Sequence, residues 1–189
     1  MNINSKENTD NNDLYQNSYK LEFENIIDDL CNNSTVKKMQ DFMQHCDTTC
    51  YDHCKNVAYY SYLICKKYNL DYKSAARAGM LHDLFLYDWR NSKKRLSLNQ
   101  LHAFAHPKIA LSNSIKLFDL NNKEKDIISK HMWPVTIKLP KYKESYIITF
   151  VDKFCALKET FDYMKKTYNM KKLYKYSYIF LGLFIFRII

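Results

Sequence analysis

Apolar residues along this chain recur at the three-to-four-residue spacing of a helix face, and no run alternates convincingly like a strand. Leu21, Phe23, Ile26, Ile27 and Leu30 mark the buried side of a first helix over roughly Lys20 to Leu30. The Asn-Asn-Ser-Thr stretch at 32–35 is a break and a capping signal, predicting a second helix through about Met43. Asp47, Thr48 and Thr49 announce a third, from about Thr49 to Tyr68, in which His53 shares the inward stripe with Val57, Tyr60 and Ile64. Asp71 caps a fourth whose inner stripe is Ala75, Ala78, Gly79 and His82, with Asp83 beside it at the helix end. Small residues on that stripe would let a neighbouring helix approach closely.

The segment from Tyr87 to Leu101 is polar and basic and reads as a loop. His106-Pro107 predicts the start of a fifth helix, proline being tolerated in a first turn, and this leaves His102 in the loop. Asn121 or Asn122 begins a sixth, with Ile127, Ile128 and His131 on one side and Trp133-Pro134 as its stop. A seventh runs from about Lys143 to Tyr163 with Ile148, Val151, Asp152 and Cys155 inward, and residues 171–189 predict a last, apolar helix. The expected fold is therefore all-α: one helical domain over residues 19–189, preceded by a polar leader (1–18) too poor in apolar surface to order itself.

Composition narrows this picture in two ways. Only 2 Gly and 3 Pro among 189 residues leave little turn chemistry for a many-stranded fold. The polar amino terminus has no secretory signal, so six cysteines read as reduced thiols of a cytoplasmic protein. The net charge of +9 is unevenly placed. No acidic residue follows Asp162, while Lys165, Lys166, Lys171, Lys172, Lys175 and Arg187 do. A weakly basic body with a basic tail argues against a broad duplex nucleic-acid face.

Four predicted helices each carry a histidine or aspartate on or beside an apolar face: His53, His82 with Asp83, His131 and Asp152. His106 stands at the start of a fifth. One such histidine is ordinarily a hydrogen-bonded core residue, but the repetition calls for a shared partner. A divalent metal supplies one, since imidazole and carboxylate suit Mn, Fe, Co, Ni, Zn or Mg to differing degrees.

The order His53, His82-Asp83, Asp152 resembles the signature of the HD-domain superfamily of metal-dependent phosphohydrolases, and His106 and His131 resemble its six-ligand, two-metal branch. The resemblance covers roughly residues 40–160 and includes DHCKNVA, AGMLHDLFLYDW and HPKIAL. It implies an all-helical domain, in agreement with the periodicity. It also implies one metal held by His53, His82, Asp83 and Asp152, with Asp83 bridging to a second held by His106 and His131. The implied activity is hydrolysis of a small phosphate ester, such as a nucleotide, by a metal-activated water. A di-iron oxygenase on the same scaffold and a regulatory module with a structural metal are the alternatives.

One departure weakens a cyclic-dinucleotide substrate. Where signalling members of the superfamily have Ile-Gly-Lys after the His-Asp pair, this chain has Leu84-Phe85-Leu86. Lys153 and the basic loop (Arg90, Lys93, Lys94, Arg95) are the candidates to meet phosphate instead, and His102 is a candidate acid near the pocket edge. His45 is a candidate for the pocket mouth, while Asp88 and Trp89 either orient a neighbour or end the helix. Cys46, Cys50 and Cys54 lie along one helical stripe, which suits core thiols better than a converging thiolate site. The tail YSYIFLGLFIFRII has 14 residues, short of the roughly 20 that span a bilayer. It is expected to pack on the core or in a homodimer, with peripheral membrane contact through residues 171–189 as the alternative.

Overall fold

Side chains at the helix starts fix most of the element boundaries. Asn33 accepts from the backbone N–H groups of Thr35 and Val36, Thr49 from Asp52, and Asp71 from Ser74. Asn121 accepts from Lys123 and Glu124, and the Glu124 carboxylate returns a bond to the Asn121 N–H, closing a capping box. Each cap satisfies donors that a helix N-terminus leaves unpaired.

The computed structural model describes residues 4–88 and 102–167, with side chains of the first helix from residue 16 onward. The elements are α1 (Asn4–Asn32), α2 (Ser34–Lys37), a 3-10 turn (Lys38–Asp41), β1 (Met43–His45), β2 (Thr48–Thr49), α3 (Cys50–Lys67), α4 (Tyr72–Leu81), α5 (His102–Leu117), α6 (Asn122–Lys130) and α7 (Lys143–Thr167). Trp89, the basic loop around Arg90–Arg95 and the apolar segment 171–189 lie outside the described residues. No helix among the described residues is long and apolar enough to cross a membrane.

The all-α expectation is met, with one domain and one exception. A small antiparallel hairpin pairs Met43 with Thr49 and His45 with Thr48. It replaces the predicted end of the second helix. Its turn has no glycine; Cys46 itself takes the left-handed region at φ 49°.

Other boundaries moved for identifiable reasons. The first helix extends back to Asn4 rather than starting near Lys20. Of its predicted apolar side, Phe23, Ile27 and Leu30 are buried, while Leu21 faces out. Helix α5 is described from His102, so His102 is helical and not in a loop, and Pro107 lies inside the helix. Proline there removes one intrahelical bond, to the Ala103 carbonyl.

Helices α3 and α4 share the most extensive contact among the described elements. A Cβ built on Gly79 would stand 2.7 Å from the Ala58 Cα, so only glycine lets the two backbones meet there. This contact brings His53, in the first turn of α3, alongside His82 at the end of α4, their ring centroids 5.6 Å apart. Val57, Ala58 and Cys65 of α3 pack into the apolar core with Ala75, Ala78 and Leu81 of α4. Tyr60 and Ile64, placed on the same inward stripe, pack against the core and are partly covered.

Candidate metal centre

Six elements converge on one buried cluster. Gln44 comes from β1, His53 from α3, His82 and Asp83 from the end of α4, His106 from α5, His131 from the end of α6, and Asp152 and Glu159 from α7. All eight side chains are buried.

Backbone carbonyls set the tautomers of three of the histidines. Because a carbonyl oxygen only accepts, each bonded Nδ1 must carry the proton. His82 donates from Nδ1 to Gly79 O at 2.8 Å, His131 to Ile128 O at 2.9 Å and His106 to His102 O at 2.7 Å. His82 and His131 are the C-cap residues of α4 and α6, and each bonds a carbonyl that the helix end leaves without a partner. The same device turns all three Nε2 lone pairs toward the cluster. His53 is held differently, with a carboxylate on each nitrogen: its Nδ1 faces Glu159 at 3.0 Å and its Nε2 faces Asp152 Oδ1 at 3.1 Å. A carboxylate behind a histidine fixes ring orientation and raises the basicity of the opposite nitrogen.

Asp83 lies at the middle of this arrangement, and its two oxygens face different partners. Oδ1 is 3.2 Å from His106 Nε2 and 3.4 Å from His131 Nε2. Oδ2 is 3.5 Å from His82 Nε2 and accepts a hydrogen bond from Gln44 Nε2. Asp152 Oδ1 completes the His82 side at 3.7 Å. The backbone here is pinned from both flanks: the Cys50 thiol donates to Asp83 O at 3.2 Å, and Asn113 donates to Leu84 O at 2.9 Å.

The ionisation of the cluster is lopsided. Burial alone would depress His53, but hydrogen bonds to Asp152 and Glu159 outweigh it and push its pKa up to about 10. Burial likewise opposes the charge on His82, and Asp83 overrides it. His106 goes the other way, down to about 4, because burial and the nearby His131 outweigh the attraction of Asp83. Asp83 and Asp152 are held well below the carboxylate range despite burial, Asp83 chiefly by His82 and His106 and Asp152 by His53 and His82.

These residues fit a cation. His82 Nε2 and Asp83 Oδ1 are buried acceptors with no hydrogen-bond partner among the described residues. Leaving such groups unpaired costs on the order of 1–3 kcal/mol each. His53, His82 and Asp83 each offer a donor atom within 4.8 Å of the others, and so do Asp83, His106 and His131. Asp83 belongs to both groups, which are therefore adjacent half-sites sharing one carboxylate. A nitrogen and oxygen donor set of this kind suits a divalent transition metal or Mg.

The remaining sequence candidates fall around this centre. Lys153, one residue after Asp152, turns its ammonium to the carbonyls of Thr149 at 3.1 Å and His131 at 3.4 Å, and burial lowers its pKa. His102 stacks on His106 with centroids 4.5 Å apart, and its Nδ1 is 3.0 Å from the Tyr87 hydroxyl. His45 packs edge-on against His53 at 5.0 Å, and it forms a third donor group with His53 and Glu159. Cys50 and Cys54 are buried thiols in the core, and burial raises the pKa of Cys54.

Two buried residues escaped the sequence reading. Glu159 continues the inward stripe of α7 through Ile148, Asp152 and Cys155, a signal present in the spacing. Gln44 gave none, because its position depends on a hairpin the pattern does not announce. Comparison with protein-family models, with curated proteins and with solved structures returns no match for this chain.

Proposed function

We propose that this protein is a metal-dependent phosphohydrolase of the HD type, cleaving a small phosphate ester such as a nucleotide. The observation that carries the reading is the division of Asp83, one oxygen toward His106 and His131 and the other toward His82. A carboxylate can serve two cations in this way, which an imidazole cannot do through a single nitrogen.

His53, His82, Asp83 and Asp152 would hold one ion, and Asp83, His106 and His131 a second. Divalent ions held there would polarise phosphoryl oxygens, offset charge building in the transition state and make a coordinated water acidic enough to attack. The chain's own groups position and balance that chemistry. Glu159 and the carbonyls of Gly79, His102 and Ile128 keep the ligand nitrogens aimed inward. Lys153 carries a positive charge to the His131 flank and would meet a phosphate oxygen. On the other flank His102, with Tyr87 on its Nδ1, would hand a proton to the departing oxygen. Buried free thiols suit a reducing cytoplasm.

The test is a screen of nucleotides and sugar phosphates with Mn, Fe, Co, Ni and Mg, run with and without oxygen. Release of phosphate in the absence of oxygen supports the reading. Turnover that needs iron and consumes oxygen assigns the scaffold to an oxygenase. Tight metal with no turnover in either arm makes it a binding or regulatory module.

A further inference from the structure

The imidazole of His53 has donor atoms on both of its sides. Its Nε2 points into the buried cluster, toward Asp152 Oδ1 at 3.1 Å. Its Nδ1 points the other way, with the Glu159 carboxylate oxygens at 3.0 and 3.2 Å. On that outer side His45, from strand β1, packs its ring edge-on to His53 with centroids 5.0 Å apart. One donor atom from each of His45, His53 and Glu159 falls within 4.8 Å of the others. Zinc bonds to nitrogen and oxygen are about 2.0–2.2 Å long, so two ligands of one ion stand about 3–4 Å apart. His53 and Glu159 already meet that spacing. His45, partly exposed in its short hairpin, is the member that has to close in.

Charge and accessibility set this outer group apart from the inner cluster. Glu159 is buried, and among the described residues no lysine or arginine pairs with it. Its partners are His53 and the Asn56 amide, which donates to Oε1 at 3.4 Å. Neither ring nitrogen of His45 has a hydrogen-bond partner among the described residues. A buried carboxylate facing an unengaged imidazole suits a cation. The group opens to solvent at His45 and Asn56, whereas the inner donors are all buried.

We propose that His45, His53 and Glu159 form an outer site for a zinc-class divalent ion, and that filling it regulates the inner centre. Two imidazoles and one carboxylate are a donor set that holds zinc with a position left for water. A neutral imidazole has one nitrogen lone pair to give. An ion on Nδ1 therefore leaves the ring proton on Nε2, where Asp152 Oδ1 accepts it. The inner half-site then keeps His82, Asp83 and Asp152 but loses His53. With three donors against four, the outer site fills after the inner one, and zinc in excess loosens the inner ion. That consequence for the reaction rests on the phosphohydrolase reading; the outer site itself does not.

Equilibrium dialysis of the full chain against rising Zn²⁺, followed by elemental analysis, counts ions per chain. His45→Phe keeps an aromatic ring against His53 and removes the ligand nitrogen. At saturation the native chain should hold about one ion more than this variant, and that ion should be the last to bind. Equal counts would overturn the proposal. The difference is read whatever the number of inner ions, so a failure of the phosphohydrolase reading does not hide it. A second measurement uses the native chain alone, following the histidine rings by long-range ¹H–¹⁵N correlation during the same titration. Once the last site fills, His53 should carry its proton on Nε2 and not on Nδ1. A ring that keeps its Nδ1 proton throughout would assign the extra zinc elsewhere, such as the partly exposed thiol of Cys46. That result would overturn the proposal even if the variant had lost an ion.

Discussion

His106 and His131 face each other Nε2 to Nε2 at 2.7 Å, while each uses its Nδ1 proton on a backbone carbonyl. Two lone pairs at that distance repel unless something positive lies between or beside them. Asp83 Oδ1, within 3.4 Å of both, adds a third acceptor to the same point. Three acceptors aimed at one position describe a cation half-site.

Removing those two histidines should therefore empty one half and spare the other. His106→Ala and His131→Ala should each lower metal content from about two ions per chain toward about one, while Asp83→Ala should lose both, on the two-ion model. Elemental analysis of purified, unchelated protein decides this. If the native chain never exceeds one ion with metal in excess, and both histidine variants keep it, the second half-site does not bind.

Glu159 should matter although no ligand atom of it is needed. It holds His53 from behind at 3.0 Å. Glu159→Leu should weaken metal binding by about 10–100-fold, the usual cost of losing such a support. Glu159→Gln, which can still accept from Nδ1–H, should lose less. A competitive metal titration measures both, and equal losses would show that the carboxylate charge, not the hydrogen bond, is what counts.

Acidity should oppose metal uptake. His53 is raised to about 10 by Asp152 and Glu159 against the effect of burial, so it is protonated at neutral pH. A ligating nitrogen must give up that proton, so affinity should climb with pH through the neutral range, approaching about tenfold per unit for one proton released. Calorimetry in buffers of different ionisation enthalpy counts the proton directly. Binding enthalpies that do not change with buffer would mean that His53 enters the site already neutral.

The approach of α3 to α4 offers a test of the scaffold alone. Gly79→Ala puts a methyl group 2.7 Å from the Ala58 Cα, backbone that cannot step aside. The variant should be destabilised by about 1–3 kcal/mol, a typical overpacking cost. Thermal melting reads this, and metal affinity should fall in parallel because the same contact sets His53 beside His82.

The candidate histidines were legible because each lies on, or at the end of, a helix with an inward stripe. Their periodic positions could be found without knowing how the helices pack. Gln44 and His102 show where that logic stops. Gln44 reaches Asp83 only because Met43–Thr49 folds as a hairpin, through a turn at Cys46 that no glycine signals. Pro107 read as a helix start places His102 outside α5, yet a proline inside a helix removes only one bond and α5 runs through it from His102. Glu159 was legible in principle, lying one further step along a stripe already identified from Ile148 to Cys155.

Two of the candidate ligands, His82 and His131, stand at the C-terminal ends of α4 and α6. The peptide dipoles of a helix add up to roughly half a negative charge at that end. Both helices therefore direct their negative poles at the same buried point, adding to the charges of Asp83 and Asp152. The backbone itself makes this cluster attractive to cations and hostile to anions. An anionic substrate would enter a field that repels it until bound positive ions reverse the sign, so metal loading would govern admission as well as chemistry.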